Sequence, residues 1–175
     1  MSLSPKFWNA DKIVSFSAIL ISLATMGVYI YQTHLIQKQQ SASVMPYLRM
    51  SYSYDQDRFQ FLITNEGLGP AFIDEVNTYY KGKKYSRDIA IFFQDHYRKI
   101  DSTIYLSYSN IEEGMLFSNG KKINIVSKFN SVENTKKLRK IFFDEKLEME
   151  VIYSSIYGEK WITRGTFTRP KKIED

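Results

Sequence analysis

The side chains that could do catalytic or metal chemistry are few and badly spaced for it. Histidine occurs twice, at positions 34 and 96, too far apart for a metal cluster, and there is no cysteine to supply a thiolate or a disulfide. Asp95 and His96 are neighbours in sequence, but adjacent residues on a helix point about 100° apart. The pair therefore lacks the mutual geometry that a Ser-His-Asp site requires. The acidic pairs Asp55/Asp57 and Glu112/Glu113 fall at expected turns, and ordinary turn and surface roles outweigh calcium binding or glycosidase work there. No phosphate-cradling loop, dinucleotide fingerprint, HExxH helix or nucleophile elbow is present. The sequence predicts no catalytic residue, no cofactor and no metal site, and a protein that is not an enzyme.

Two groups remain that could bind rather than react. Lys83, Lys84, Arg87, Tyr97 and Arg98 bring cations and an aromatic ring into one short stretch, the side-chain set an anionic nucleotide would need. Ser15, Ala18, Ser22 and Thr25 recur at steps of three and four, so they share one helix face. Ala18 and Ser22 form a small-xxx-small pair, which lets two helices approach closely in a bilayer. That spacing predicts self-association, although small residues are also ordinary membrane-helix composition.

The helix that carries this face is the plainest feature of the chain. Residues 13–31 hold nineteen positions without a charge. At 1.5 Å per residue they span about 28 Å, close to the roughly 30 Å of bilayer hydrocarbon. Phe7, Trp8, Lys6 and Lys12 flank one end, and Tyr29 and Tyr31 the other, as interfacial anchors do. A cleaved signal peptide would have a shorter apolar run and a nearby small-residue cleavage site, whereas Ser41-Ala42-Ser43 lies ten residues beyond the run. A soluble core helix would show a more polar face. We read 1–12 as a tail, 13–31 as a transmembrane helix and 32–45 as a helical stalk that stops before Pro46. Charge near the two ends of the span is balanced, and the larger domain's positive charge inclines the reading towards a cytosolic domain.

Residues 46–170 read as a mainly β domain, with 171–175 as a tail. Thirteen Tyr and twelve Phe favour strands. Runs at 46–54 and 58–64 flank a turn and make a hairpin; 71–80, 102–109, 121–129, 147–157 and 160–168 supply further strands. Leu147, Met149, Val151 and Tyr153 alternate with Glu148, Glu150 and Ile152, which predicts one inward and one mainly solvent-facing side. Two short helices are expected, at 87–100 and from the cap Ser131 to about Phe143. Val132, Leu138, Ile141 and Phe142 make the apolar stripe of the second, with Lys136, Lys137 and Lys140 beside it. Such a basic helix can lie on an anionic membrane, but more often it covers a sheet with its charges in water. The net charge of +5 is modest and fits either use.

Asn65-Glu66-Gly67-Leu68-Gly69-Pro70-Ala71 follows a strand directly. Its glycines permit positive φ, its proline stops the ladder, and Gly158 ends a later strand; all five special residues (Asn65, Gly67, Gly69, Pro70 and Gly158) read as turn formers. A strand ending in Asn-x-Gly, a small residue opening the next strand and the later Glu112-Glu113-Gly114 turn resemble immunoglobulin-like domains of the CARDB, or cell-adhesion-related, type over roughly residues 47–130. The whole layout, with Tyr153-Ser154-Ser155-Ile156-Tyr157-Gly158-Glu159-Lys160-Trp161 near its end, is similar to uncharacterised small bacterial single-pass inner-membrane proteins. The resemblance implies a small immunoglobulin-like β-sandwich, or a small barrel, carrying two inserted helices. It brings no activity with it.

Three classes of function follow as expectations. The first is a membrane-anchored binding module in a bacterial inner-membrane complex, self-associated and holding an unidentified protein partner. The second is a membrane-disrupting effector of antiphage defence gated by a cyclic nucleotide, because small proteins of that kind have a similar overall plan. An enzyme with an unrecognised site is the third.

Overall fold

The computed structural model describes residues 10–97 and 106–173, which form two units divided between Ala42 and Ser43. Arg98 and the start of the run expected at 102–109 lie outside the described residues.

The first unit is the helix α1 (Ala10–Ser43). It is long and apolar enough to cross a membrane, and none of its residues is buried against protein. Its hydroxyls turn back onto their own backbone: Ser15 Oγ donates to the Asp11 carbonyl at 2.8 Å, and Thr25 Oγ1 to the Ile21 carbonyl at 2.8 Å. Hydrocarbon offers such groups no other partner, so satisfying them within the helix removes the main cost of carrying them.

The second unit is β-rich and consists of two antiparallel sheets around one core. One sheet runs β1 (Leu48–Tyr54), β2 (Phe59–Asn65), β7 (Lys122–Lys128) and β5 (Ser107–Tyr108). The other runs β10 (Lys171–Lys172), β9 (Lys160–Arg164), β8 (Glu148–Ser154), β3 (Ala71–Tyr80) and β4 (Lys83–Tyr85). A short β6 (Leu116–Phe117) also pairs with β3. The β1–β2 hairpin holds its register from Leu48 opposite Asn65 to Tyr54 opposite Phe59. Lys171 and Lys172 pair with β9, so strand structure continues into the stretch that the sequence leaves as a tail.

Period-two alternation explains the core. Phe59, Phe61 and Ile63 from β2 meet Leu147, Met149, Val151 and Tyr153 around β8, all of them buried. Each such side chain contributes about 1.5–3 kcal/mol by leaving water. Tyr153 also ties the sheets together, its phenol oxygen accepting from the Leu48 amide at 3.3 Å. Burial pushes that phenol's pKa up.

The outward side of β8 departs from simple alternation. Glu150 is buried, because Asn77 Nδ2 and Tyr79 OH from β3 both donate to its Oε1, at 3.2 and 3.3 Å. Alternation assigns a side chain to a face but does not show what a neighbouring strand lays over it.

Helical structure stands where both inserted helices are expected, and each α-helical stretch passes into a π-helical turn, the first within an expected run whose residues 98–100 lie outside the described residues. Helix α2 (Ile89–Phe92) continues as the turn Phe93–Tyr97. Helix α3 (Val132–Arg139) continues as the turn Lys140–Asp144. Asp88 caps α2, accepting from Ile91 N at 2.8 Å and reaching across to Ile111 N at 2.7 Å. Ser131 Oγ caps α3 by accepting from Asn134 N at 3.3 Å. The two π turns pack on each other, with the Phe93 and Phe142 rings stacked 5.7 Å apart.

Candidate functional site

The Asn65 turn is a closed structure. Asn65 is fully buried and every one of its side-chain groups is used: Oδ1 accepts from Tyr47 N at 3.1 Å and Gly67 N at 3.0 Å, while Nδ2 donates to the carbonyls of Gly69 at 2.8 Å and Phe117 at 3.0 Å. The segment gripped is the chain's approach to β1. Glu66 N adds a bond to the Tyr47 carbonyl at 2.8 Å.

The glycines here serve a different purpose from the one the sequence suggests. Neither Gly67 nor Gly69 lies at positive φ. A β-carbon on Gly67 would fall 2.4 Å from the Met45 carbonyl oxygen, and one on Gly69 would fall 1.7 Å from that of Val44. Close backbone approach is what demands glycine. Gly158, by contrast, has φ of 79° in the β8–β9 loop. Pro70 immediately precedes β3.

Among the described cations expected to meet an anionic ligand, Lys84 and Arg87 already have carboxylate partners. Lys84 Nζ lies 3.1 Å from Glu75 Oε1, and Arg87 pairs with Asp95. Lys83 Nζ sits over the Tyr85 ring, 5.4 Å from its centre. Tyr97 is buried, and its hydroxyl donates to Glu145 Oε2 at 3.1 Å, alongside a bond from Tyr80 OH to the same oxygen. Burial raises the Tyr97 pKa, while the Tyr80 hydroxyl, then that of Tyr97 and the charge of Lys81, lower that of Glu145. An incoming anion would meet carboxylates at three of these positions. The stretch places Lys83 and Lys84 on the edge strand β4 and Arg87 just beyond it, and buries Tyr97 in the π turn that follows α2.

An open site lies elsewhere, along α3. A groove of about 460 Å³ is lined by Tyr54, Lys136, Arg139, Lys140, Phe143 and Asp144. The elements place these residues for simple reasons. Thr135, Leu138, Ile141 and Phe142 go into the core, so Lys136, Arg139 and Lys140 face solvent. The π turn takes up one extra residue, and Phe143 emerges 43 % exposed although Ile141 and Phe142 are buried. Tyr54, at the end of β1, is 48 % exposed, and its ring meets that of Phe143 edge-on at 5.7 Å. The Arg139 guanidinium lies over Tyr54, 4.7 Å from the ring centre.

Among the described residues, Lys136, Arg139 and Lys140 have no ion-pair partner, while their neighbour Lys137 pairs with Glu133 at 3.1 Å. The groove thus combines three cations that lack an ion pair among the described residues with one carboxylate and two exposed rings. A smaller pocket of about 280 Å³ adjoins it across Phe143, lined in part by Tyr52, Phe142 and Lys146. Burial pushes the Tyr52 phenol up to about 12, so it stays protonated at neutral pH. The sequence shows the lysines of α3 but gives no sign that Tyr54, more than eighty residues away, would stand beside them.

The small-residue face of α1 is exposed at Ser15, Ala18, Ser22 and Thr25. No group of three or more His, Cys, Asp or Glu side chains among the described residues could hold a metal ion. No protein-family model, curated protein or solved structure matches the chain.

Proposed function

We propose that this protein is a membrane-anchored, non-enzymatic binding module. The observation that carries the reading is α1, a helix of 34 residues with an apolar span and no buried residue. Leaving such a surface in water would cost far more than a small domain's whole stability, whereas a bilayer covers it. The β unit then has the role of the ligand-holding head. Its two antiparallel sheets are compatible with an immunoglobulin-like sandwich of the cell-adhesion-related type. Contacts along the Ser15/Ala18/Ser22/Thr25 face would associate copies within a bacterial inner membrane, with the head on the cytosolic side and a further protein as partner.

Fractionation tests the anchor. The full chain is expected in the membrane pellet, resistant to carbonate and released by detergent, and a chain without residues 1–42 in the supernatant. Full-length protein that stays in the supernatant after lysis without detergent overturns the proposal.

A further inference from the structure

Three clusters of polar or charged side chains among the described residues bear comparison. The cluster around Glu150 has Asn77 Oδ1 buried without a donor, but its carboxylates already face Asn77, Tyr79 and Lys84. The Tyr80–Glu145–Tyr97 cluster is satisfied within itself. The α3 groove differs from both in leaving its charges unmatched.

We infer that the α3 groove is a nucleotide site, in which Lys136, Arg139 and Lys140 hold the phosphates and Phe143 with Tyr54 receives the base. This names a ligand for the binding module proposed above and rests on that reading.

Three observations carry it. Phosphate oxygens are matched by several cations on one surface, and here three stand within two helical turns with no carboxylate among the described residues paired to any of them. A bare phosphate site needs no rings, yet Phe143 and Tyr54 remain exposed beside the cations rather than joining the core. Stacking on such rings tolerates any base, because every base presents a π-face. The volume of about 460 Å³ falls in the roughly 300–1,000 Å³ range of small-molecule pockets and suits one nucleotide better than a strand. Asp144, at the groove's wall, accepts hydrogen bonds from a sugar hydroxyl or a base amino group and repels phosphate, which fixes the direction in which the ligand lies.

The test is calorimetric titration of the full chain in detergent micelles with each of the four ribonucleoside triphosphates, and with adenosine and inorganic tripolyphosphate as the two halves. Saturable binding of at least one triphosphate, about tenfold or more tighter than either half, is expected. It should weaken tenfold or more in the double variant Lys136→Gln/Lys140→Gln and in Phe143→Ala, and stay unchanged in Lys84→Gln. These side chains are exposed, and an unaltered thermal melt identifies variants that have kept their fold.

No saturable binding of any triphosphate overturns the inference. Tripolyphosphate binding as tightly as the nucleotides does too, since the rings then do nothing. Equal loss in Lys84→Gln would move the site away from α3 and overturn the inference as well. Because the titration needs no membrane, its failure leaves the anchoring proposal standing, and a failed fractionation leaves the titration meaningful.

Discussion

The Asn65 turn and the α3 groove are both rich in polar groups, and they use them in opposite ways. At Asn65 each side-chain donor and acceptor meets a main-chain partner, and the residue is fully buried. Along α3, Lys136, Arg139 and Lys140 remain exposed and without an ion pair among the described residues. Polar groups already matched inside the fold stabilise it and offer nothing to a ligand. Those left unmatched add little stability and remain free to bind. The difference between the two regions therefore separates folding residues from binding residues more clearly than residue type does.

The largest expected effect breaks the closed region. Asn65→Ala strips partners from two amides and two carbonyls in a buried turn, and a loss of about 3 kcal/mol or more is expected by denaturant unfolding of the full chain in micelles. A loss below about 1 kcal/mol would mean that water or neighbouring groups replace the side chain, and the contrast would fail.

An intermediate effect is expected at Glu145. Its carboxyl is held below the ordinary value chiefly by the Tyr80 hydroxyl. A depressed folded-state pKa contributes stability above the unfolded value, about 4.3, and loses it as pH falls through the lower folded value. Glu145→Gln should therefore cost about 1 kcal/mol at pH 7 and flatten the loss of stability in the acid range below about pH 5. Parallel acid-unfolding curves for the two proteins would remove Glu145 from the set of matched groups.

The smallest effect sharpens the comparison from the other side. Lys136→Gln/Lys140→Gln is expected to leave stability within about 0.5 kcal/mol, measured by the same unfolding, because exposed unpaired charges do little for a fold. A clear gain would show that mutual repulsion along α3 is a real cost, and one that the protein retains for binding.

Much of the architecture was legible in the sequence, because the relevant signals are local. An uncharged run of bilayer length, a hairpin around Asp55-Gln56-Asp57 and alternation from Leu147 to Tyr153 each follow from residues close together in the chain. The site was less legible, because it depends on partners. Lys84 and Arg87 are cations in any reading, but only the fold sets Glu75 and Asp95 against them. Gly67 and Gly69 look like turn glycines until the segment ending at Tyr47 is seen passing over them. Tyr54 belongs to a hairpin with no apparent bearing on α3 until its ring meets Phe143.

The π turn after α3 makes the groove depend on residue count as well as residue identity. Five residues, 140–144, fill a turn that a regular helix makes with fewer. Phe142 and Phe143 are adjacent in sequence, yet one goes to the interior and the other to solvent. A single-codon deletion of Ile141 would therefore disturb the ring wall while keeping Lys136, Arg139 and Lys140 in the chain.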